Sequence, residues 1–197
     1  MEQNSQVKIL EAQIRECFGR VVWSHKTQEK CADIIMNRHN WIKIIQIVLS
    51  ALTTTGVLVA VFGENQTIGI IAASLSATLF GINTYVKGHD LGEIAQKHSD
   101  AASNLWDIRE KYLSLITDIN ANTISLDNVV IKRDELQEKL RGIYKGSPRT
   151  ISKAYEKASK ALKVNEELTF SNSEIDLFLP KELRKTQGEK NTAHNKS

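Results

Sequence analysis

Few residues of this chain could take part in chemistry, and they do not form a familiar active-site pattern. His25 and His98 could change charge near neutral pH, because an unperturbed imidazole has a pKa of about 6.5. Cys17 and Cys31 share a helical face, but two thiols without further ligands make a weak metal site. We interpret the cysteines as packing residues, and we favour structural roles over proton sensing for both histidines.

Motifs of the common catalytic and binding classes are absent from the sequence. It has no glycine-rich phosphate loop, no His-Glu-x-x-His pair, no Cys-x-x-Cys pair and no nucleophile elbow. The net charge of +3 does not indicate a large basic surface, and no basic stripe carries interleaved aromatic residues. The sequence therefore predicts no enzyme, no cofactor, no metal and no nucleic-acid partner.

A set of polar residues lies inside the most apolar part of the chain. They share one side of the segment 42–62: Gln46, Ser50, Thr53 and Thr54. Polar side chains within a membrane usually face other helices or a water-filled path. Two interpretations stay open. Either the hydroxyls bond to their own backbone and only Gln46 needs a partner, or the four residues line a pore in an oligomer.

Residues 42–86 predict a transmembrane helical hairpin. Its two apolar runs, 42–62 and 67–86, each have the length of about 20 residues that a bilayer core requires. A soluble buried hairpin is the weaker alternative, because its apolar runs are usually about 10–14 residues long. Interface anchors flank one end: Trp41, Lys43, Tyr85 and Lys87. Since basic residues lie on that side and none lies in the turn, both termini should be cytoplasmic.

The second membrane helix carries a ridge of small residues, each four positions after the last: Gly69, Ala73, Ala77 and Gly81. Such a ridge lets helix backbones approach closely, either within the hairpin or between chains. Gln46 and Asn83 lie at a similar depth in the two helices, and we hypothesise a hydrogen bond between them.

Long amphipathic helices flank the hairpin. The N-terminal region, 1–41, predicts one helix from about Ser5 to Asn40, with Gly19 as a weak point. After the hairpin, a heptad pattern predicts a coiled-coil seam: Leu91, His98, Leu105, Tyr112 and Ile119. Its partner is either the N-terminal helix or the same helix of another chain.

The rest of the chain predicts shorter helices. Ser125 can cap a helix that ends near Gly146, and Ser173 can cap a short turn before Pro180. A lysine-rich helix lies between them, and we favour a solvated face for it over contact with an acidic membrane surface. The cytosolic helical region spans 87–184, and a disordered tail is predicted for 185–197. The fold class is thus all-α, a two-helix transmembrane hairpin with long cytosolic helices forming a coiled-coil-like bundle.

The run from Trp23 to Lys30, ahead of a two-helix hairpin and a long cytosolic helix, resembles the SLATT family over about Leu10 to Tyr155. These are SMODS and SLOG-associating two-transmembrane effectors. The resemblance implies a homo-oligomeric, pore-forming effector of the bacterial inner membrane in antiviral, anti-phage defence. A sensor or nucleotide-signalling protein would act on it in trans, and the family has no catalytic residues.

Two other functions stay open at this stage. The hairpin could be a non-conducting anchor for a scaffold that recruits a cytosolic defence partner, or the chain could be a toxin that inserts after synthesis as a soluble protein. The sequence also leaves open whether a nucleotide binds this chain directly, because it contains no recognisable nucleotide motif.

Overall fold

The computed structural model describes residues 2–63 and 65–185, and this part of the chain is helical with no strand. The all-α class is therefore confirmed. Its helices follow in chain order: α1 Glu2–Phe62, α2 Gln66–Gly88, α3 Leu91–Asn120, α4 Leu126–Gly146, α5 Ser152–Lys163, α6 Asn172–Phe178, and a short 3₁₀ helix Lys181–Leu183. Apart from Lys185, the tail predicted to be disordered lies outside the described residues.

Helix α1 is a single unbroken helix of 61 residues, about 90 Å long at 1.5 Å per residue. It passes through the weak point at Gly19 and through the boundary predicted between residues 41 and 42 without interruption. The chain returns from the hairpin through α2 and α3, which are separate helices with His89 and Asp90 between them. Asp90 Oδ1 caps α3 by accepting a hydrogen bond of 2.9 Å from the Glu93 amide. The hairpin and the bundle are thus joined by a continuous helix on one side and by a two-residue joint on the other.

The hairpin consists of the end of α1 packed against α2. Asn65 begins α2 by accepting a hydrogen bond of 3.2 Å from the Ile68 amide. The helices pack closely at Gly56, where an added Cβ would lie 3.1 Å from the Ala72 Cβ. Most large apolar side chains point outward, as shown by Phe62 at 82% and Phe80 at 74% exposure. The apolar stretches are long enough to cross a membrane and almost wholly unburied, unlike the core helix of a soluble protein.

The bundle is built by α1, α3 and α4, with α3 packed along both others. Its core residues come from all three helices: Leu10, Ile14, Val21, Leu105, Ile108, Tyr112, Leu115, Ile119, Val129 and Leu136. The seam residues of α3 face this core, except Leu91, which is only half-buried. Of the two partners predicted for the seam of α3, the N-terminal helix of the same chain is the one that packs on it.

Helix capping confirms one sequence prediction and corrects another. Ser125 caps α4, as its position predicts. The prediction of Ser173 as the cap of α6 is wrong, because Ser171 holds that position in a capping box with Glu174. The Ser171 amide donates to Glu174 Oε2 at 2.8 Å, and the Glu174 amide donates back to Ser171 Oγ at 3.3 Å. A Ser-x-x-Glu pair satisfies two helix-end amides, and because Ser171 and Glu174 form one, the helix begins at Asn172 and Ser173 lies inside it.

The chain divides into two compact units, one ending at Ala158 and the other beginning at Ser159. In the first, Ala154 and Ala158 of α5 are fully buried, whereas Lys153 and Lys157 are exposed. In the second, the buried Asp176 carboxylate accepts a hydrogen bond of 3.2 Å from the Lys185 amide.

Candidate functional site

A groove of about 650 Å³ runs along one side of the membrane hairpin. Its lining comes from both helices: Gln46, Ile47, Ser50, Ala51, Thr54, Thr55, Leu79 and Asn83. The structure thus brings together Gln46, Ser50 and Thr54, three of the residues predicted to line a pore. Five of the eight lining residues have polar side chains, whereas the surrounding surface of the hairpin is apolar and exposed.

An amide pair crosses the groove at the end nearer the bundle. Gln46 Nε2 donates a hydrogen bond of 2.7 Å to Asn83 Oδ1, which is the contact hypothesised from their matching depth. Each side-chain amide has two donors and an acceptor oxygen with two lone pairs, so this bond leaves polar capacity on both. Hydrocarbon offers no partner for that capacity, whereas another chain or water does.

The hydroxyl groups of the predicted stripe do not all face the groove. Thr54 Oγ1 donates 2.9 Å to the Ser50 carbonyl, as expected for a threonine that bonds to its own backbone. Thr53 is not part of the lining. It lies three residues before Gly56, on the helical face that packs on α2, and its Oγ1 is buried with no hydrogen-bond partner among the residues described.

Only part of the small-residue ridge of α2 packs on α1 of the same chain. An added Cβ on Gly69 would lie 3.5 Å from the Ala60 Cβ, whereas one on Gly81 would meet nothing within 4 Å. Ala73 and Ala77 are exposed as well. The buried residue of α2 is instead Ala72, at 2% exposure, which packs on Gly56 of α1. Most of the ridge therefore remains on the outer surface of the hairpin.

The predicted interface anchors are all exposed at the end of the hairpin nearer the bundle: Trp41, Lys43, Tyr85 and Lys87. Two further residues join them, which the sequence analysis did not single out. Arg38 donates a hydrogen bond of 3.4 Å to the Tyr85 hydroxyl, and the His89 ring stacks on Tyr85 with centroids 4.8 Å apart. A paired aromatic and cationic layer of this kind suits the headgroup region.

A polar cluster lies in the bundle, inside the run that carries the family resemblance. The consecutive side chains His25, Lys26, Thr27 and Gln28 are each at most 7% exposed. Four successive helical residues cover roughly 300° of the circumference. Helix α1 is therefore enclosed on nearly all sides at this level, which explains why polar residues are buried here.

The cluster links α1 to α3 through two histidines. His98 Nδ1 donates a hydrogen bond of 2.5 Å to Gln28 Oε1, and His25 Nδ1 donates one of 2.9 Å to the Ala102 carbonyl. Burial lowers the pKa of His98, which favours the neutral imidazole. We name the Gln28–His98 hydrogen bond the bundle latch, because it fixes the register of α3 along α1.

Charges near the bundle latch are paired. Lys26 Nζ lies 2.8 Å from Glu29 Oε2, and the other carboxylate oxygen of Glu29 lies 3.6 Å from His25 Nε2. The cysteines are free, and burial raises the pKa of the Cys31 thiol, which disfavours the reactive thiolate. In the part of the chain that the structure describes, no group of His, Cys, Asp and Glu could hold a metal ion.

Comparison with known families gives a match over residues 10–174, to the SMODS and SLOG-associating 2TM effector domain family 4. The chain belongs to the SLATT family. The match contains both membrane helices, the polar cluster and the beginning of α6, so it extends beyond the region of the sequence resemblance. No curated protein and no solved structure matches this SLATT protein. The family description names two-transmembrane effector domains that associate with SMODS and SLOG.

Proposed function

We propose that this SLATT protein is a non-enzymatic effector of the inner membrane that oligomerises and opens a water-filled path. The polar groove on an otherwise lipid-exposed hairpin carries the proposal. One hairpin cannot enclose water, but a ring of hairpins can turn their grooves inward and keep Gln46, Ser50 and Thr54 away from lipid. Both termini and the bundle lie on the cytoplasmic side in this arrangement.

The outer ridge of α2 supplies a contact between copies. Ala73, Ala77 and Gly81 are exposed and lie outside the groove lining. Small residues let a neighbouring helix approach closely, and this close packing drives helix association in lipid. Copies that pack through the ridge leave their grooves free to face the centre of the ring.

A signal in the bundle has a direct route to the hairpin. Helix α1 runs unbroken through both regions, while α3 connects to α2 only through His89 and Asp90. A partner that shifts α3 along α1 breaks the bundle latch and moves α2 relative to α1. In this mechanism the SMODS or SLOG partner acts in trans, and the hairpins rearrange in response.

The test is membrane potential in bacteria that express the protein together with its partner system, reported by a voltage-sensitive dye. The test variant is Ser50→Leu with Thr54→Leu. Its matched control is Ser74→Leu with Thr78→Leu, because those hydroxyls donate to carbonyls four residues back, as Thr54 does, and neither lines the groove. We expect depolarisation by the native protein and the control pair, and none by the groove variant.

The rival function is a membrane-anchored scaffold without conduction. A scaffold predicts that the native protein does not depolarise the membrane. It also predicts that the Ser50→Leu, Thr54→Leu variant still protects the cells. Oligomerisation is tested separately by crosslinking in lipid, where Ala77→Leu should abolish the assembly and Ser74→Leu should not. A native protein that stays monomeric in active membranes would overturn the ring.

A further inference from the structure

A second pocket, of about 500 Å³, lies in the bundle between the middle of α1, the end of α4 and the connection from α4 to α5. Small-molecule sites usually have volumes of about 300–1,000 Å³, so a mononucleotide-sized ligand fits this range. Along α1, Gln28 lies about 20 Å before Trp41 at 1.5 Å per residue, so the pocket is removed from the interface anchors.

Three aromatic rings line the pocket: Trp23, Tyr144 and Tyr155. The rings of Trp23 and Tyr155 have centroids 5.2 Å apart and planes inclined by 50°. They are therefore tilted rather than stacked, and Tyr155 is 54% exposed. An exposed aromatic face of this kind offers a stacking surface to a flat ligand ring such as a nucleobase.

The charge of the lining favours an anion. Arg149 is its one charged residue, and no hydrogen bond or ion pair engages Arg149 within the part of the chain that the structure describes. The neighbouring groove between α3 and α4 differs, because there Asp100 and Asp107 offset two lysines. A guanidinium without a carboxylate partner can bind phosphate oxygens in a bidentate manner.

Neutral polar groups complete the lining. Ser24 Oγ and the Tyr144 hydroxyl lie 2.8 Å apart, and each keeps further hydrogen-bonding capacity. The Gln28 side chain also reaches the pocket, where its Nε2 donates a hydrogen bond of 3.4 Å to the Pro148 carbonyl. Hydroxyl and amide groups can recognise a sugar or the edge of a base.

We propose that this pocket binds a nucleotide, with its base against Trp23 and Tyr155 and its phosphate on Arg149. Binding has a consequence for the bundle, because Gln28 lines the pocket and also forms the bundle latch with His98. A ligand that engages Gln28 competes with that hydrogen bond. This last step rests on the proposed function, whereas binding itself does not.

The test uses the full chain in lipid nanodiscs with Trp41→Phe and Trp106→Phe, which leaves Trp23 as the single tryptophan. Its fluorescence is titrated with mononucleotides and cyclic dinucleotides carrying each of the four bases, and separately with inorganic phosphate. We expect a saturable change with a nucleotide and none with phosphate. Arg149→Gln should weaken that binding about tenfold or more, and Lys153→Gln, an exposed cation outside the lining, should not.

Several outcomes would overturn the proposal. One is the absence of a saturable response to every nucleotide, and another is equal weakening by Arg149→Gln and Lys153→Gln. A response to phosphate alone would indicate an anion site without ring recognition. A response to phosphatidylglycerol vesicles in place of nucleotides would assign the pocket to a lipid headgroup. The membrane-potential assay does not depend on the fluorescence titration. A failure of the nucleotide-binding proposal can therefore be distinguished from a failure of the pore proposal.

Discussion

The membrane hairpin and the helical bundle share α1 but differ in how far they bury their apolar residues. In the bundle, Ile14 and Leu105 are completely buried by helices of the same chain. In the hairpin, Phe62 and Phe80 are more than 70% exposed. In the bundle, helices of one chain therefore bury an apolar core, whereas in the hairpin α1 and α2 leave most of their large apolar side chains exposed.

Polar residues show the same contrast. The bundle latch joins Gln28 and His98 at 4% and 1% exposure, so protein surrounds both partners. The matching amide pair of the hairpin, Gln46 with Asn83, lies at the surface of a groove. A buried pair fixes one register, whereas a pair at a groove can exchange its partner for water or another chain.

The largest expected difference between the regions is in the cost of losing an apolar side chain. Leu105→Ala should lower the free energy of unfolding by about 2–5 kcal/mol, because it opens a cavity in a fully buried core. Leu52→Ala, at a hairpin site that is 54% exposed, should cost about 0.5 kcal/mol or less. Denaturant unfolding in nanodiscs measures both, and equal losses would remove the contrast.

The bundle latch should show strong coupling in a double-mutant cycle. Gln28→Leu and His98→Leu each remove one side of a buried hydrogen bond, so we expect a coupling of about 0.5–3 kcal/mol. The exposed pair Gln96 and Asp100, joined by a hydrogen bond of 2.8 Å, is the matched control and should couple more weakly. Additive effects of the Gln28 and His98 changes would show that the latch does not fix the bundle.

The bundle should also lose stability as the pH falls. Burial lowers the pKa of His98, so the folded protein binds a proton less readily than the unfolded chain does. The stability that depends on neutral His98 is complete above the unfolded pKa of about 6.5 and is lost as the pH falls from there through the lower folded pKa. Unfolding at about pH 7.5 and about pH 5.5 should show this loss, and His98→Leu should reduce it. The same pH dependence in both proteins would assign it to other groups.

The smallest expected effect is in the hairpin. A double-mutant cycle on Gln46→Leu and Asn83→Leu should give a coupling of about 0.6 kcal/mol, the average for hydrogen bonds between membrane helices. Unfolding of the hairpin in lipid measures this value. Fully additive effects of the two substitutions would show that Gln46 and Asn83 do not interact. A coupling larger than that of the bundle latch would show that the stronger hydrogen bond lies in the hairpin and not in the bundle.

The sequence predicts those features of the hairpin and the bundle that depend on the spacing of residues within one helix. The length of the apolar runs indicates the hairpin, and the heptad spacing from Leu91 indicates a buried face, but neither gives the partner. Spacing alone does not show that Thr53 turns away from the groove or that Gly81 stays outside the helix contact. The run from His25 to Gln28 resembles an exposed helical surface, and only enclosure by other elements buries it. The cap at Ser171 could have been predicted, because the capping-box spacing to Glu174 is present in the sequence.

The most direct test of the account is water access to the groove in depolarised cells. The Thr54→Cys and Thr78→Cys variants are each labelled with a water-soluble thiol reagent, and their labelling rates are compared. The native protein gives the background labelling of Cys17 and Cys31. The account predicts rapid labelling at residue 54, which lines the groove, and little at residue 78, which does not. Equal labelling at both positions, or protection of residue 54 while ions pass, would contradict it.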